Sequence, residues 1–296
     1  MEQENLMNAT LVNENINELL KNSTGIEFEK VIAKVFELIG FKSIWLEDQN
    51  DANPDVILEA WKCPSPYIVT IECFAQVSNS SEVPKEKVGQ IRANGPKYSK
   101  DPKYIGKIDN LHLGVISRGK FSKHAIGASG NDVALITLDI VMDLLQDFYK
   151  GLIYSQEELK VIFQGSGERR DVFNEIRYQK YIKYMNLGLI CFIVERSLEK
   201  KSLIDYRIIM GQVIAINKQN DIHISDIEIA SNLDFLCHPV TGLIIRDRNN
   251  INHHELKNPD NFIKLGKTGE NIQNWYKHWK KKLKPHKIDT SLFDST

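Results

Sequence analysis

The sequence lacks several signatures that would place it at once in a familiar chemical class. Its four cysteines are widely spaced and form no C-x-x-C pair. This spacing argues against a structural zinc site and a disulfide framework, and it suits a reducing compartment. The sequence also contains no Walker loop, no dinucleotide-binding glycine fingerprint and no readable Ser-His-Asp arrangement. Nucleotide-dependent chemistry and serine-nucleophile chemistry are therefore not indicated.

Long apolar runs are absent as well. The best candidate, residues 187–194, is about half of the roughly 20 residues that a membrane-spanning helix needs, and it is typical of a buried core segment. The opening 22 residues are polar and acidic, unlike a secretory signal peptide. We therefore expect a cytoplasmic protein without a membrane partner.

The sequence has no excess of positive or of negative charge. The 296 residues carry 38 Lys and Arg against 39 Asp and Glu, a net charge of −1. Any nucleic-acid binding must therefore depend on local basic patches rather than on the whole protein. A hydrophobic content of 42% with 26% charged residues is typical of soluble globular proteins, and the length allows two domains.

What the sequence does contain is a pair of acids in an apolar context. Asp55 follows Pro54, and Glu72 lies 17 residues further on, inside an alternating strand predicted for residues 67–77. A glutamate in such a strand is costly unless a cation or a hydrogen-bond donor satisfies it. Two neighbouring carboxylates repel each other unless a hard cation such as Mg²⁺ (or Mn²⁺) lies between them. The alternative is that Asp55 caps a turn and Glu72 lies on a solvated sheet face.

The elements around these acids resemble the PD-(D/E)xK nuclease superfamily in their order. A helix with a Thr24–Glu27 capping box comes first, Gly40 ends it, and Pro-Asp and the acidic strand follow. In that superfamily a helix acid, the Asp and the strand acid bind metal ions. The metal ligands that the resemblance implies are Glu29 (or Glu27), Asp55 and Glu72, with Cys73 in the same set.

One position departs from the superfamily. Two residues after Glu72 the superfamily has a Lys that positions or activates water, whereas this sequence has Phe74. Phenylalanine has neither charge nor donor, so it cannot stabilise a developing anion. A lysine side chain is long enough to reach the site from another element, and Lys87, or else Lys85, is the predicted replacement. The candidate catalytic residues are Asp55, Glu72, Lys87, Lys85 and Gln90.

The order of the later elements narrows the resemblance. Gly-Gln at residues 89–90, the Ser-x-Gly-x-Phe motif at residues 117–121 and the predicted strand–strand–helix order are similar to the FokI-type cleavage domains of type IIS restriction endonucleases. The similarity covers about residues 24–165. It implies an α/β restriction-endonuclease-like domain over residues 1–165, with a mixed central sheet flanked by helices. It also implies DNA as substrate, and a homodimer or a heteromeric partner subunit.

Two lysine-rich stretches remain open to two interpretations. Lys97, Lys100, Lys103 and Lys107 alternate with tyrosines and are either a phosphate-binding path or a solvated loop. The lysines of residues 277–287 either contact phosphates or favour the dipole of the helix that they end. The neighbouring Trp275, Tyr276 and Trp279 are expected to contact other surfaces.

Residues 171–296 form the second predicted domain, and glycines and charges at residues 165–171 mark the boundary. A capped helix beginning at Ser225, followed by strands at residues 241–246 and 261–267 with a polar turn between them, resembles a winged-helix module. Such modules bind DNA or protein, so the element order does not choose between the two partners.

Two hypotheses for the whole chain follow. The first is a metal-dependent DNA endonuclease of a bacterial restriction or phage-defence system. The second is a catalytically inactive nuclease-fold subunit that binds DNA or pairs with an active partner, as Phe74 suggests. The enzyme must bind Mg²⁺ or Mn²⁺ through both acids, and the inactive subunit need not.

Overall fold

The computed structural model describes residues 15–46, 53–75, 82–108, 110–199, 203–238, 243–246, 253–256 and 267–287. The chain divides into two compact units. The N-terminal unit comprises Met1–Phe148 with Ile153–Arg177, and the C-terminal unit comprises Tyr149–Leu152 with Tyr178–Thr296. The division falls beyond residues 165–171, the predicted boundary, and each unit is described by itself below.

The N-terminal unit is built on a six-stranded sheet in which the strands follow one another in chain order. The strands are β1 (Lys42–Trp45), β2 (Val56–Ala60), β3 (Tyr67–Phe74), β4 (Asn110–Ser117), β5 (Val133–Thr137) and β6 (Gly167–Glu168). The pairs β1–β2 and β2–β3 are antiparallel, and the pairs from β3 to β6 are parallel. This mixed sheet, flanked by helices, fits the restriction-endonuclease-like architecture predicted from the sequence.

Helices cover both faces of this sheet. They are α1 (residues 15–22), α2 (Gly25–Leu38), α3 (Lys85–Asn94), α4 (Lys123–Ala128), α5 (Leu138–Tyr149) and α6 (Gln156–Phe163), with a 3₁₀ helix at Gly95–Lys100 after α3. Helix α2 begins after Thr24 as predicted, but the Thr24 side chain makes no capping hydrogen bond. The predicted capping box is therefore wrong, and the apolar face of α2 fixes the helix instead.

Strand β3 lies at the centre of this packing, and all eight of its residues are buried. On one face, Phe74 packs with Val88 and Ile91 of α3. On the other, Phe36 and Phe163 of α2 and α6 have ring centroids 5.9 Å apart. Because both faces are covered, Glu72 is only 1% exposed, and the alternative that it lies on a solvated face is wrong.

The C-terminal unit combines helices with a small antiparallel sheet of order β7–β9–β8. Its elements are α7 (Arg170–Leu198, from Tyr178 onward), β7 (Ile204–Asp205), α8 (Tyr206–Gln219), α9 (Asp226–Cys237), β8 (Ile244–Arg246), β9 (His253–Leu256) and α10 (Lys267–Leu283). The predicted cap of α9 is confirmed, because Ser225 and Glu228 form a reciprocal capping box.

One strand of this sheet lies where the sequence predicts a polar turn. Strand β9 pairs with β7 and β8, so it is the central strand, and its His254 is buried. Two ladders of backbone hydrogen bonds stabilise a strand even when its side chains are polar. The prediction of a turn at residues 253–256 was therefore wrong. The strand predicted at residues 261–267 lies almost wholly outside the described residues.

The core of the C-terminal unit contains the aromatic side chains of α10. Trp275, Tyr276 and Trp279 are at most 5% exposed, so their rings do not contact other surfaces as the sequence analysis expected.

Within the described residues, no helix combines the length and the hydropathy that a bilayer crossing requires.

Helices α7 and α10 approach each other closely at Gly188, where an added Cβ atom would lie 2.7 Å from the Cβ atom of Trp279. We expect Gly188→Ala to lower the free energy of unfolding by about 1–3 kcal/mol, because the two helices must separate. Gly211→Ala is the matched control, since nothing lies within 4 Å of the added atom. Urea unfolding of both variants measures the difference, and equal stabilities would contradict this packing.

Candidate active site

Strand register brings the two predicted acids to the same place. Val56 of β2 pairs with Ile71 of β3, so the next positions along the two strands are Asp55 and Glu72. The backbone N–H of Asp55 donates to the carbonyl oxygen of Ile71 at 2.9 Å. The Oδ2 atom of Asp55 accepts a 2.6 Å hydrogen bond from the backbone N–H of Cys73. These contacts fix the Asp55 carboxylate at the end of β2, beside the strand that carries Glu72.

The surroundings of Asp55 disfavour its negative charge. Burial, and secondly the charge of Glu72, raise the pKa of Asp55 from 3.8 to about 7. Glu29 contributes to the same rise, whereas the hydrogen bond from Cys73 and the charge of Lys87 act against it. A carboxylate with its pKa near neutrality is held in an environment where an additional cation would stabilise its charged form.

A lysine from α3 reaches the strand acid. The Nζ atom of Lys87 lies 2.6 Å from Oε1 of Glu72 and 3.2 Å from Oε1 of Gln90. Lys87 and Gln90 are three residues apart and therefore lie on the same face of α3. The Lys87 side chain is 28% exposed, so the ammonium is accessible from one side. Lys85 is exposed at the start of α3, and the structure brings Lys87, the preferred candidate, to Glu72.

The position of the missing strand lysine is part of the hydrophobic core. Phe74 is 9% exposed and packs in a cluster with Val83, Val88, Val115 and Phe121. A lysine at this position would bury its charge among apolar side chains, which is costly. A cation beside Glu72 is therefore better supplied by α3, where Lys87 lies, than by position 74 of β3.

The helix acid of the predicted set is Glu29. Its side chain is partly buried, and its Oε2 atom accepts a 3.1 Å hydrogen bond from Nε1 of Trp45. The charge of Glu29 contributes to the raised pKa of Asp55, whereas Glu27 is exposed and does not contribute to it. Of the two glutamates left open by the sequence, Glu29 is therefore the better candidate.

Cys73 meets the acids through its backbone. Its side chain is buried, and burial, together with the charges of Asp55, Glu29 and Glu72, holds the pKa of the thiol well above its ordinary value. The thiol therefore stays protonated beside these acids. The backbone N–H of Cys73, which donates to Asp55, is its contribution to the geometry of the site.

The donor set fits a small divalent cation. Across the described residues, no three His, Cys, Asp or Glu side chains form a group that could hold a metal ion by themselves. Mg²⁺, however, is commonly bound by one or two carboxylates, with waters and substrate phosphates completing its octahedral shell. Asp55 and Glu72 supply two carboxylates, and the raised pKa of Asp55 indicates a site that a cation would stabilise. Mn²⁺ has a similar preference for oxygen ligands.

A second buried glutamate was missed in the sequence. Glu59 of β2 is fully buried, and its two oxygens accept hydrogen bonds from four side chains. The donors are Lys42 and Trp61, each at 2.8 Å, Tyr104 at 2.7 Å, and Lys103. An acid between Leu58 and Ala60 in an apolar strand gives the same signal as Glu72, so the sequence pattern could have identified it.

Contacts within the N-terminal unit account for two basic residues near the sheet. Lys103 belongs to the predicted phosphate path, but it forms an ion pair with Glu59. Arg118 donates to the carbonyl oxygens of Leu20 and Ser23, so it holds the C-terminal end of α1. Both side chains therefore contribute to the fold of the N-terminal unit.

Comparisons with known proteins find similarity in structure only. No protein-family model matches the chain, and no curated protein matches it. The restriction endonuclease FokI has a TM-score of 0.43 at 14% identity, over 52% of this chain and 30% of the FokI chain. FokI bound to DNA gives 0.42 at 16% identity, over 53% and 30% of the two chains.

A further solved structure is the MspJI restriction endonuclease in complex with a 27-mer oligonucleotide, with a TM-score of 0.27 at 19% identity. The similarity covers 40% of this chain and 26% of the MspJI chain. This chain therefore spans less than a third of each of these proteins. The FokI-type resemblance indicated by the sequence is found among the solved structures as well.

Proposed function

We propose that the N-terminal unit is a metal-dependent DNA endonuclease of a bacterial restriction or phage-defence system, acting in the cytoplasm. The observation that carries this proposal is the 2.6 Å contact between the Lys87 ammonium and Glu72, beside Asp55. In metal-dependent phosphodiester hydrolysis, carboxylates can hold the metal ion and an ammonium can stabilise the negative charge that develops on the phosphate. In this chain the ammonium is supplied by α3, although the superfamily pattern places it on the acidic strand.

Each side chain has a distinct role in this proposal. Asp55 and Glu72 would hold Mg²⁺, with Glu29 supporting them from α2. When bound, the ion would supply a water molecule of lowered pKa and a positive charge against the phosphate. Lys87, held by Glu72 and Gln90, donates hydrogen bonds to the attacking water or to a phosphoryl oxygen. Gln90 is a positioning residue, because it fixes the ammonium without touching the reacting atoms.

The C-terminal unit is proposed to be a winged-helix-like module. Its elements follow the order helix, strand, helix, helix, strand, strand, helix, and its sheet has the order β7–β9–β8. The first six follow the winged-helix order, and α10 comes after them. This arrangement supports a helix-turn-helix variant with a strand hairpin. The FokI-type resemblance also implies a second protomer or a partner subunit, because one catalytic site cuts one strand.

The second candidate function is an inactive nuclease-fold subunit that binds DNA or pairs with an active partner. The burial of Phe74 in the hydrophobic core favours this second function. The strand position at which the superfamily has its catalytic lysine holds an apolar core residue here.

Cleavage of supercoiled plasmid DNA in Mg²⁺ or in Mn²⁺ tests the proposal. We expect the wild type to cut, and Asp55→Ala to cut at least about 100-fold more slowly because one of two metal-binding carboxylates is lost. Titration calorimetry with Mn²⁺ in the absence of DNA is the parallel measurement. If neither protein cuts and the wild type does not bind Mn²⁺, the endonuclease is excluded and the inactive subunit remains.

A further inference from the structure

Helix α10 presents a row of lysines on the side opposite its buried aromatic residues. Lys277, Lys281 and Lys284 are exposed and follow the spacing i, i+4, i+7, which places them on one face. Trp275 and Trp279 lie on the opposite face and are at most 1% exposed. We call these three lysines the lysine stripe. Because the buried face fixes the rotation of α10, the stripe points away from the core.

The lysines of the stripe differ from the neighbouring Lys280 in their ion pairing. Lys280 forms a 2.7 Å ion pair with Glu195 of α7. In the part of the chain that the structure describes, no ion pair involves Lys277, Lys281 or Lys284. The stripe is therefore a local concentration of positive charge in a chain whose net charge is −1.

The helix dipole accounts for only part of this pattern. A lysine in the last turn is stabilised by the partial negative charge at the helix C-terminus, and the effect falls off within that turn. Helix α10 ends at Leu283, so Lys281 is in its last turn, whereas Lys277 is almost two turns from the end. The dipole therefore does not account for Lys277, which lies on the solvent face of an amphipathic helix and is accessible to an anionic partner.

Helix α9 has the opposite character, although a winged-helix module would place this helix in a DNA groove. It carries Asp226, Glu228 and Asp234 and contains no Lys, Arg or His. All three acids are exposed, and Ile227 on the same surface is 81% exposed. Asp234 is paired with Arg246 and Glu228 accepts the capping hydrogen bonds of Ser225, but α9 itself carries no basic side chain that could attract phosphates. The helix is therefore poorly suited to a DNA groove.

We infer that the C-terminal unit binds the DNA phosphate backbone through the lysine stripe of α10, independently of base sequence, and that α9 stays outside the groove. The inference rests on the proposed function, which names DNA as the substrate. Lys284 follows the last residue of α10, and its N–H still donates to the carbonyl oxygen of Lys280, so from Lys277 to Lys284 the chain rises about 10 Å at helical geometry. One DNA strand has a phosphate every ~3.4 Å along the DNA axis, and because the strand winds around that axis the direct separations are longer. The flexible lysine stems cover this difference, so the stripe can contact successive phosphates.

The test is the salt dependence of DNA binding in EDTA, measured by fluorescence anisotropy with a labelled duplex of arbitrary sequence. For the triple variant Lys277→Gln/Lys281→Gln/Lys284→Gln, we expect the slope of log K against log salt to become less steep by about 2–3. This is because each phosphate contact contributes about 0.9. Lys280→Gln is the matched control, because this lysine is on the same helix but is paired with Glu195. It should keep the wild-type slope within about 0.5.

An unchanged slope in the triple variant would overturn the inference, and so would an equal change in the Lys280 control. If the triple variant keeps the slope but loses self-association in sedimentation, the stripe is a protein interface and the inference also fails. Asp55→Ala separates this inference from the proposed function. Asp55→Ala should lose cleavage but keep the wild-type salt slope, because it affects only the nuclease. The salt slope of the triple variant depends only on the lysine stripe.

Discussion

Lys87→Ala is expected to lower the rate of DNA cleavage by about 10²–10³-fold, while Lys85→Ala leaves it within about twofold. Removing one donor that stabilises a developing oxyanion has an effect of this size. The structure places the Lys87 ammonium 2.6 Å from Glu72 and leaves Lys85 exposed at the start of α3. Single-turnover cleavage in saturating Mg²⁺ measures both rates. Lys85 is a matched control because it has the same side chain on the same turn of α3.

Loss of the ammonium also leaves the buried Glu72 without this partner, so loss of folding must be distinguished from loss of chemistry. Titration with Mn²⁺ makes the distinction. A folded Lys87→Ala protein binds Mn²⁺ at least as tightly as the wild type, because the ion no longer competes with the ammonium for the Glu72 carboxylate. Equal cleavage rates for the two lysine variants, or faster cleavage by Lys87→Ala, would remove Lys87 from the mechanism.

Glu59→Ala is expected to lower the free energy of unfolding by about 2–3 kcal/mol, because the buried hydroxyl of Tyr104 loses its acceptor and the charge-assisted hydrogen bonds are lost. The variant leaves the donors of Lys103, Trp61 and Tyr104 without their acceptor. Lys42→Ala is the comparison, because its side chain is 59% exposed, and it should cost about 1 kcal/mol or less. Urea unfolding measures both, and similar losses would contradict the buried cluster.

The same cluster predicts a pH dependence. Burial tends to raise the pKa of Glu59, but the hydrogen bonds from Lys103, Lys42, Trp61 and Tyr104 lower it from 4.5 to about 2. The folded state therefore has the lower pKa. The stabilisation that ionised Glu59 gives the folded state is complete above about pH 4.5 and is lost as the pH falls toward 2. We expect Glu59→Gln to lack this part of the acid destabilisation, and an unchanged pH profile would contradict it.

The sequence predicted the parts of the site that depend on local patterns. Asp55 stands out as an acid directly before a buried strand and Glu72 as an acid inside one, and strand alternation is visible without knowledge of distant contacts. Lys87 was preferred over Lys85 because its side chain is long enough to reach the acidic strand, a reason that applies to both lysines, and the structure brings Lys87 to Glu72. Whether these residues catalyse a reaction stays a prediction.

The parts that the sequence did not predict depend on contacts between distant residues. Glu59 is satisfied by Lys42 and Lys103, which are 17 and 44 residues away along the chain. The loop that carries Lys103 therefore resembled a free basic loop. Strand β9 consists mostly of polar residues. It forms because it pairs with β7 on one side and with β8 on the other. Neither environment can be deduced from spacing alone.

The ion pair between Lys87 and Glu72 means that a positive charge of the protein itself lies against one of the two proposed metal-binding acids. A divalent ion held by Asp55 and Glu72 would have to share the Glu72 carboxylate with this ammonium or displace it. Metal affinity and the position of the lysine would then be coupled, and the Mn²⁺ titration of the Lys87 variant measures that coupling.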